Sequence, residues 1–434
     1  MNLIESTDLD AVEAKVLDYW LRDWTSPIPT TNQGAESLAF QRWFHFKEAF
    51  SPTFVVDAIQ RQSQRPKTVL DAFSGSGTTA LTCQFLGIQP IAIEVNPFLA
   101  DLTQAKLEVY NIPALHDALR KIERKAKHLR NCDLLARYPL PPTFVEPGKN
   151  ERWLFNHETA LSLLSYRAAI ESLDDPAIQR LGRVVLGSML VPTSNAFING
   201  KGRRYRTNWK ARPPQDVDAI FHESFRTATS DAVLTLGKPH RGYTLLRGDA
   251  RQKIDEVTSP IDLALFSPPY PNSFDYTDVY NIELWMLGYL KNHEDNRRLR
   301  TDTLRSHVQI SRNFAAQDIG STTLKKVIKA LHKQENQLWD KKIPQMIEAY
   351  FDDLVGLIGK IQERLSDHGR IEVVVGDSMY CDVLVPVAKI LAEAAPHIGL
   401  QVESVKAVRA MRASAQQGGQ LRLDESLVVL SKRH

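Results

Sequence analysis

Apolar and polar positions change period several times along the chain, and the clearest change falls between residues 68 and 95. Thr68-Val69-Leu70-Asp71-Ala72-Phe73 predicts a buried strand, Ser74-Gly75-Ser76-Gly77 a glycine-rich turn, and Thr78 to Leu86 a helix closed by Gly87. Pro90 to Val95 predicts a second strand, closing on Glu94 and Asn96-Pro97. Strand, helix and strand in that order form a βαβ unit, whose strands run parallel with a right-handed crossover. Upstream, Val12, Val16, Leu17 and Trp20 recur at helical spacing over residues 8–24, behind the capping residues Ser6, Thr7 and Asp8. A Pro/Thr-rich link (Ser26 to Thr31) and an aromatic-rich stretch (Arg42 to Phe50) follow, and Ser51-Pro52 opens a helix over 52–62.

The alternation breaks after residue 100 and resumes near 243. Strands are expected at Tyr243 to Arg247, ending on Gly248-Asp249, and at Asp262 to Phe266, ending on Ser267-Pro268-Pro269-Tyr270. Further strands are expected at Arg370 to Val375, ending on Gly376-Asp377, at Val402 to Val408 and at Ser426 to Leu430, with a helix over Leu384 to Ala394. Seven strands with helices between most of them argue a doubly wound α/β fold, a mostly parallel sheet that binds ligands at the carboxyl ends of its strands. The partition that follows has an N-terminal helical segment (1–40) and a sheet domain in three pieces (41–110, 241–277 and 366–434). Two largely helical insertions separate the pieces, at 111–240 and 278–365.

Composition narrows the class. The 434 residues are 43% apolar and 24% charged, as in ordinary globular proteins, and no run of apolar residues is long enough for a membrane span. The N-terminus carries acids where a secretory signal would be basic and then apolar, and Cys83, Cys132 and Cys381 lie far apart. A disulfide framework and a CxxC zinc site are therefore not expected, no metal is expected, and a cytoplasmic location is. Net charge is only +3, but its distribution is uneven. Between Gly200 and Pro213 lie Lys201, Arg203, Arg204, Arg206, Lys210 and Arg212, interleaved with Tyr205 and Trp209 and without an acid. That pattern suits contact with a polyanion. The basic run from Arg120 to Arg130 is helical in pattern and reads as a solvated face.

The strand ends carry the chemistry. The Gly75-Ser76-Gly77 loop lacks the Gly-Lys-Ser/Thr of a phosphate-cradling loop, and Ala80 stands where a dinucleotide fingerprint has its third glycine. Glu94, closing the second strand, suits a ribose diol, because a carboxylate accepts both hydroxyl protons. Together these suit a nucleoside-bearing cofactor without specifying which. Pro268 and Pro269 have no N–H, so Ser-Pro-Pro-Tyr presents carbonyl oxygens, a hydroxyl and an aromatic ring. That is an acceptor cage for an exocyclic amino group, with Tyr270 to stack on a flat base. His45 and His368 are isolated, Asp377 reads as a turn acid, and Trp285, Met286 and Tyr289 read as core.

These residues resemble the motifs of the amino-methylating DNA methyltransferases, which use S-adenosylmethionine (SAM). Ser267 to Tyr270 is similar to their catalytic motif IV, in the Ser form usual for cytosine N4. Asp71 to Thr79 resembles motif I, Ile93 to Pro97 motif II, Gly248-Asp249-Ala250 motif III, and Phe46 to Pro52 motif X. The resemblance covers essentially the sheet. It implies a Rossmann-like class I methyltransferase fold and an enzyme that acts on the amino nitrogen of a base flipped out of double-stranded DNA, expected to be cytosine. The alternatives are adenine N6, an RNA amino group, or a non-catalytic nucleic-acid-binding subunit. Carried over residue by residue, it implies catalysis by Ser267, Pro268, Pro269 and Tyr270. It implies SAM binding by Ser51, Asp71, Phe73, Gly75, Ser76, Gly77, Thr78, Glu94, Asn96 and Asp249. DNA contacts are expected from Lys201, Arg203, Arg204, Tyr205, Arg206 and Lys210. A cognate restriction nuclease is a possible partner, and the insertion at 111–240 is the candidate target-recognition region, with 278–365 the alternative.

Overall fold

The structure is a computed structural model that describes residues 30–31, 35–199, 202–236, 241–412 and 422–433. The helix expected over 8–24 and Lys201 lie outside the described residues. One sheet organises the rest. Its strands in chain order are β1 (Thr68–Asp71), β2 (Gln89–Glu94), β3 (Thr244–Arg247), β4 (Ile261–Phe266), β5 (Leu365–Gly376), β6 (Leu400–Arg412) and β7 (Arg422–Lys432). Across the sheet they run β6-β7-β5-β4-β1-β2-β3. The first five are mutually parallel, and β7 lies antiparallel between β5 and β6. This is the strand order and the one reversed strand of the class I methyltransferase sheet. The chain winds outward from β1 through β2 to β3 and then returns to β4 on the other side of β1. The switch point, where a crevice opens at the carboxyl ends, therefore falls between β1 and β4.

Strand alternation sends residues to two covers. Val69, Leu263, Leu265 and Val374 pack against α1 (Pro52–Gln60). Leu70, Ala264, Phe266 and Val373 pack on the other face against the helix Ile343–Arg364. That helix corrects the reading of 278–365 as a whole insertion. Its apolar face belongs to the sheet core, so it is the β4-to-β5 crossover, and only the shorter helices before it project from the sheet.

Helix starts follow their caps. Ser51 accepts from the Phe54 N–H at 3.0 Å, with Pro52 at the first position of α1. Asn96 accepts from Phe98 and Leu99 at 3.0 and 3.3 Å to open Pro97–Leu107 in the same way. Proline is tolerated there because that N–H has no helical partner in any case. The insertion after Pro97–Leu107 is built on Ile112–Leu129, His157–Glu171, Pro176–Thr193 and Val217–Ala232. It shares one apolar core with residues 35–49 and with the helix Thr78–Phe85. Among the described residues no helix is long and apolar enough to cross a membrane.

Two further expectations change. The basic stretch, read within a helical insertion, forms an antiparallel hairpin of Ala196–Asn199 with Gly202–Tyr205. The helix expected from Leu384 begins at Val387, because Val383–Val385 pairs with Ser378–Tyr380 as a short ribbon and Pro386 precedes the helix. Asp377 accepts from the Val387 N–H at 2.9 Å, so it is the turn acid the sequence suggests.

Candidate active site

A cavity of about 250 Å³ opens over the carboxyl ends of β1, β2 and β4. The parallel register of β1 on β2 sets the glycine loop after β1 beside the last residue of β2. Glu94 there accepts the Gly75 N–H on Oε2 and the Asn96 N–H on Oε1, both at 2.7 Å. A carboxylate has about four lone-pair sites, so these two bonds do not exhaust Glu94, which lines the cavity. Burial pushes Glu94 up to about 7; the backbone N–H groups of Asn96, Gly75 and Val95 pull it down and the charge of Asp71 raises it further.

Gly75 adopts φ +52°, and a Cβ there would stand 2.7 Å from a ring carbon of Phe46. Phe46 stacks on Tyr280 with ring centres 5.5 Å apart, and the Tyr280 hydroxyl donates to Glu48 at 2.8 Å. Phe46 to Phe50 thus form one cavity wall and meet the loop from β1. The wall is anchored to the insertion: buried Asp231 accepts from the Phe40 N–H and the Trp43 indole N–H, both at 2.9 Å, and pairs with Arg42.

Phe73, Gly75, Glu94, Asn96 and Asp249 line the cavity, as do all four residues from Ser267 to Tyr270. Ser51, Asp71, Ser76, Gly77 and Thr78 do not. Ser51 is spent on capping α1, and Thr78 donates to Gln41 at 3.2 Å. Asp71 accepts the Phe73 N–H at 3.0 Å, and burial pushes it up to about 6. The Ser76 carbonyl takes the ammonium of buried Lys106 at 2.7 Å, and Gly77 turns the chain at φ +78° into the helix Thr78–Phe85. Asp71, Ser76, Gly77 and Thr78 thus shape the loop from behind, and Ser51 opens α1.

Asp249 reaches the cavity wall with its carboxylate already engaged. Both oxygens accept from Arg251, at 2.7 to 3.0 Å, and Arg251 also pairs with Asp353 at 2.8 Å. Asp249, expected to bind the cofactor, thus stands on the wall with its carboxylate paired to Arg251. A neighbouring wall acid, Asp302, escaped the sequence reading because it lies inside the second insertion.

The Ser-Pro-Pro-Tyr segment leaves β4 toward β7. Ser267 donates its hydroxyl to the Tyr270 oxygen at 3.3 Å, and the Tyr270 hydroxyl donates to Glu425 Oε1 at 2.9 Å. Glu425, on β7, is only 3% exposed. It also accepts from Thr30 at 2.6 Å and from Arg409, its cross-strand partner on β6, at 2.9 and 3.1 Å. Thr30, Arg409 and Glu425 all line the cavity and were missed. The available signal was a carboxylate in an otherwise apolar strand face. Phe274 is buried beyond Tyr270, and Tyr276 opens a short helix.

Arg203 and Arg204, on the second strand of the hairpin, are exposed, and the Tyr205 ring lies tilted against Trp209 with ring centres 4.5 Å apart. Lys210 is exposed and pairs with Glu151 at 2.9 Å. Arg206 is different. It donates to the carbonyls of Ser194 and Val191 at 3.1 and 3.3 Å, closing the end of the helix Pro176–Thr193. Its guanidinium is thereby used in the fold. Lys47, on the cavity wall, donates to the Ile198 carbonyl of the hairpin at 3.3 Å. The basic hairpin is thus fastened beside the cavity.

Comparison with known proteins adds to this geometry. A DNA methylase family of the N6/N4 type matches residues 8–105. The Type II methyltransferase M.BsoBI of Geobacillus stearothermophilus is 22% identical, over 92% of this chain and 87% of that protein. The Type II methyltransferase M.AvaI of Nostoc sp. strain PCC 7120 is 24% identical, over 86% of this chain and 81% of that protein. Among solved structures, the rRNA methyltransferase aviRa from Streptomyces viridochromogenes aligns with 99% of this chain and 94% of that one, at 14% identity and a TM-score of only 0.27. The fold assignment rests on the strand order rather than on that alignment.

Proposed function

We propose, taking the chain as a member of the amino DNA methyltransferase family, that it methylates the exocyclic amino nitrogen of a base flipped from duplex DNA, and that the base is cytosine, modified at N4. The observation that carries this reading is the convergence of Glu94, the Phe46 wall and Ser267 to Tyr270 on one cavity, beside an exposed basic hairpin.

The cavity suits SAM as donor. Glu94 has lone pairs left for a ribose diol, and the missing Cβ of Gly75 leaves room where the loop and the Phe46 ring meet. When bound, SAM supplies an electrophilic methyl on a sulfonium; the chain's own residues supply position and acceptors. The amino nitrogen of cytosine is a poor nucleophile, because its lone pair is conjugated into the ring. Acceptors on its two N–H bonds favour pyramidalisation and free the lone pair. The oxygen of Ser267 and the carbonyl of Pro268 are the acceptors offered, and Pro268 and Pro269 have no N–H to compete. Tyr270 gives the stacking surface for a base that must leave the duplex to arrive. Holding the nitrogen about 3–3.5 Å from the methyl, in line, then provides most of the acceleration. The proton can leave after transfer, so no strong base is needed.

Cytosine is favoured by the Ser form of the tetrapeptide. Arg203 and Arg204 supply phosphate contacts next to the cavity, which fits duplex DNA as substrate. The test is incubation of mixed-sequence duplex DNA with labelled SAM, followed by mass spectrometry of the nucleosides. N4-methylcytosine supports the full reading, N6-methyladenine overturns the base assignment alone, and no methylated nucleoside overturns the activity.

A further inference from the structure

We propose that Glu425, held by Arg409, is a positioning residue that fixes the direction of the hydrogen bonds in the Ser-Pro-Pro-Tyr segment, so that Ser267 meets the target amino group purely as an acceptor. This rests on the function proposed above and deepens it. A carboxylate can only accept. Arg409 occupies one position on each oxygen of Glu425 and Thr30 a second on Oε2, which leaves Oε1 for Tyr270. The Tyr270 proton is therefore committed to Glu425. Its oxygen is then the acceptor for the Ser267 proton, and the lone pairs of Ser267 are turned from Tyr270 toward the cavity. A serine hydroxyl alone rotates freely and presents a proton to the amino group as readily as a lone pair. The chain from Glu425 removes that ambiguity from a distance of 158 residues in sequence, counted between Ser267 and Glu425.

The same contacts leave no Ser267 proton for the cytosine ring nitrogen. In this structure that proton is already given to Tyr270.

The role is tested with Tyr270→Phe, which keeps the ring and removes the relaying hydroxyl, and with Glu425→Gln. A glutamine must set an N–H against an Arg409 N–H on one side or the other, so the pair no longer holds. Each variant should lower kcat about tenfold or more while KM for DNA and SAM affinity stay within about twofold. Glu425→Asp should recover part of the loss. The double variant should be no slower than the slower single variant, because both break one chain. Should Glu425→Gln fail to fold, the pair Tyr270→Phe and Ser267→Ala carries the same non-additivity test. Wild-type turnover in Tyr270→Phe, multiplying losses in the double variant, or a loss confined to KM would each overturn the role while wild-type methylation stands. Absence of any methylation by the wild-type chain would instead overturn the function reading, and this role with it.

Discussion

Glu94 Oε2 accepts the backbone N–H of Gly75 at 2.7 Å, joining the end of one parallel strand to the loop that leaves its neighbour. The bond fixes the loop beside Glu94, which lines the cavity. Glu94→Ala should therefore weaken SAM binding by about tenfold or more, through loss of two hydroxyl contacts of about 0.5–1.5 kcal/mol each. Calorimetry on the folded variant checks this; unchanged affinity removes Glu94 from the site.

The same carboxyl sets a pH dependence. Burial raises Glu94 to about 7, so the folded protein holds its proton longer than the unfolded chain does. Its contribution to stability is full below the ordinary carboxylate range and is lost as pH rises through about 7. Ligand binding runs the other way, because the ionised form is the better acceptor. SAM affinity should be about tenfold weaker at pH 6 than at its plateau above pH 8, one unit below the titration leaving about a tenth ionised. Glu94→Gln should flatten that profile, and an equally steep profile in the variant would assign the dependence elsewhere.

Gly75→Ala tests the meeting of loop and wall. The new Cβ is strained by φ +52° and stands 2.7 Å from the Phe46 ring. Strain alone should lower stability by about 1–2 kcal/mol, visible as a lower melting temperature. Displacement of Phe46 should weaken SAM binding by more than the change in stability explains.

The basic hairpin divides into two roles. Replacing both Arg203 and Arg204 with alanine should weaken binding to all DNA sequences alike. The log–log salt slope should flatten by about 0.9 per lost phosphate contact, about 1.8 for the pair. Arg206→Ala should instead lower stability by about 1–3 kcal/mol, having lost two bonds to helix-end carbonyls. Salt titrations of affinity and melting curves separate the two. A salt slope that ignores Arg203 and Arg204 would make the hairpin a solvated surface.

Ser267→Ala should reduce turnover by about tenfold, or about 1.4 kcal/mol of transition-state stabilisation, with little change in DNA affinity. Tyr270→Ala should do more, since it also removes a stacking surface worth about 1–3 kcal/mol per base. Single-turnover kinetics beside equilibrium DNA binding distinguish the cases. Equal losses in binding and turnover for Ser267→Ala would mean that its contact is not particular to the transition state.

Local pattern alone determined the alternating elements, the caps at Ser51 and Asn96, and the placing of Gly75, Glu94 and Ser267 to Tyr270 at strand ends. These depend on side-chain period, on proline at the first turn of a helix and on glycine where φ is positive, all readable within about ten residues. A parallel sheet then brings its strand ends to one rim, so most of the cavity was legible before any contact was known. Tertiary structure decided the rest. The pairing of β7 between β5 and β6 sets Glu425 and Arg409 against Tyr270 across 155 and 139 residues of chain. Asp249 reads as a free acid until Arg251, itself paired with Asp353, is seen beside it, and Arg206 reads as a DNA contact until it is seen to close a helix. Ile343–Arg364 has the same helical period whether it covers a sheet or extends an insertion. A buried polar group takes its meaning from the partner that offsets its desolvation, and chain spacing does not encode that partner.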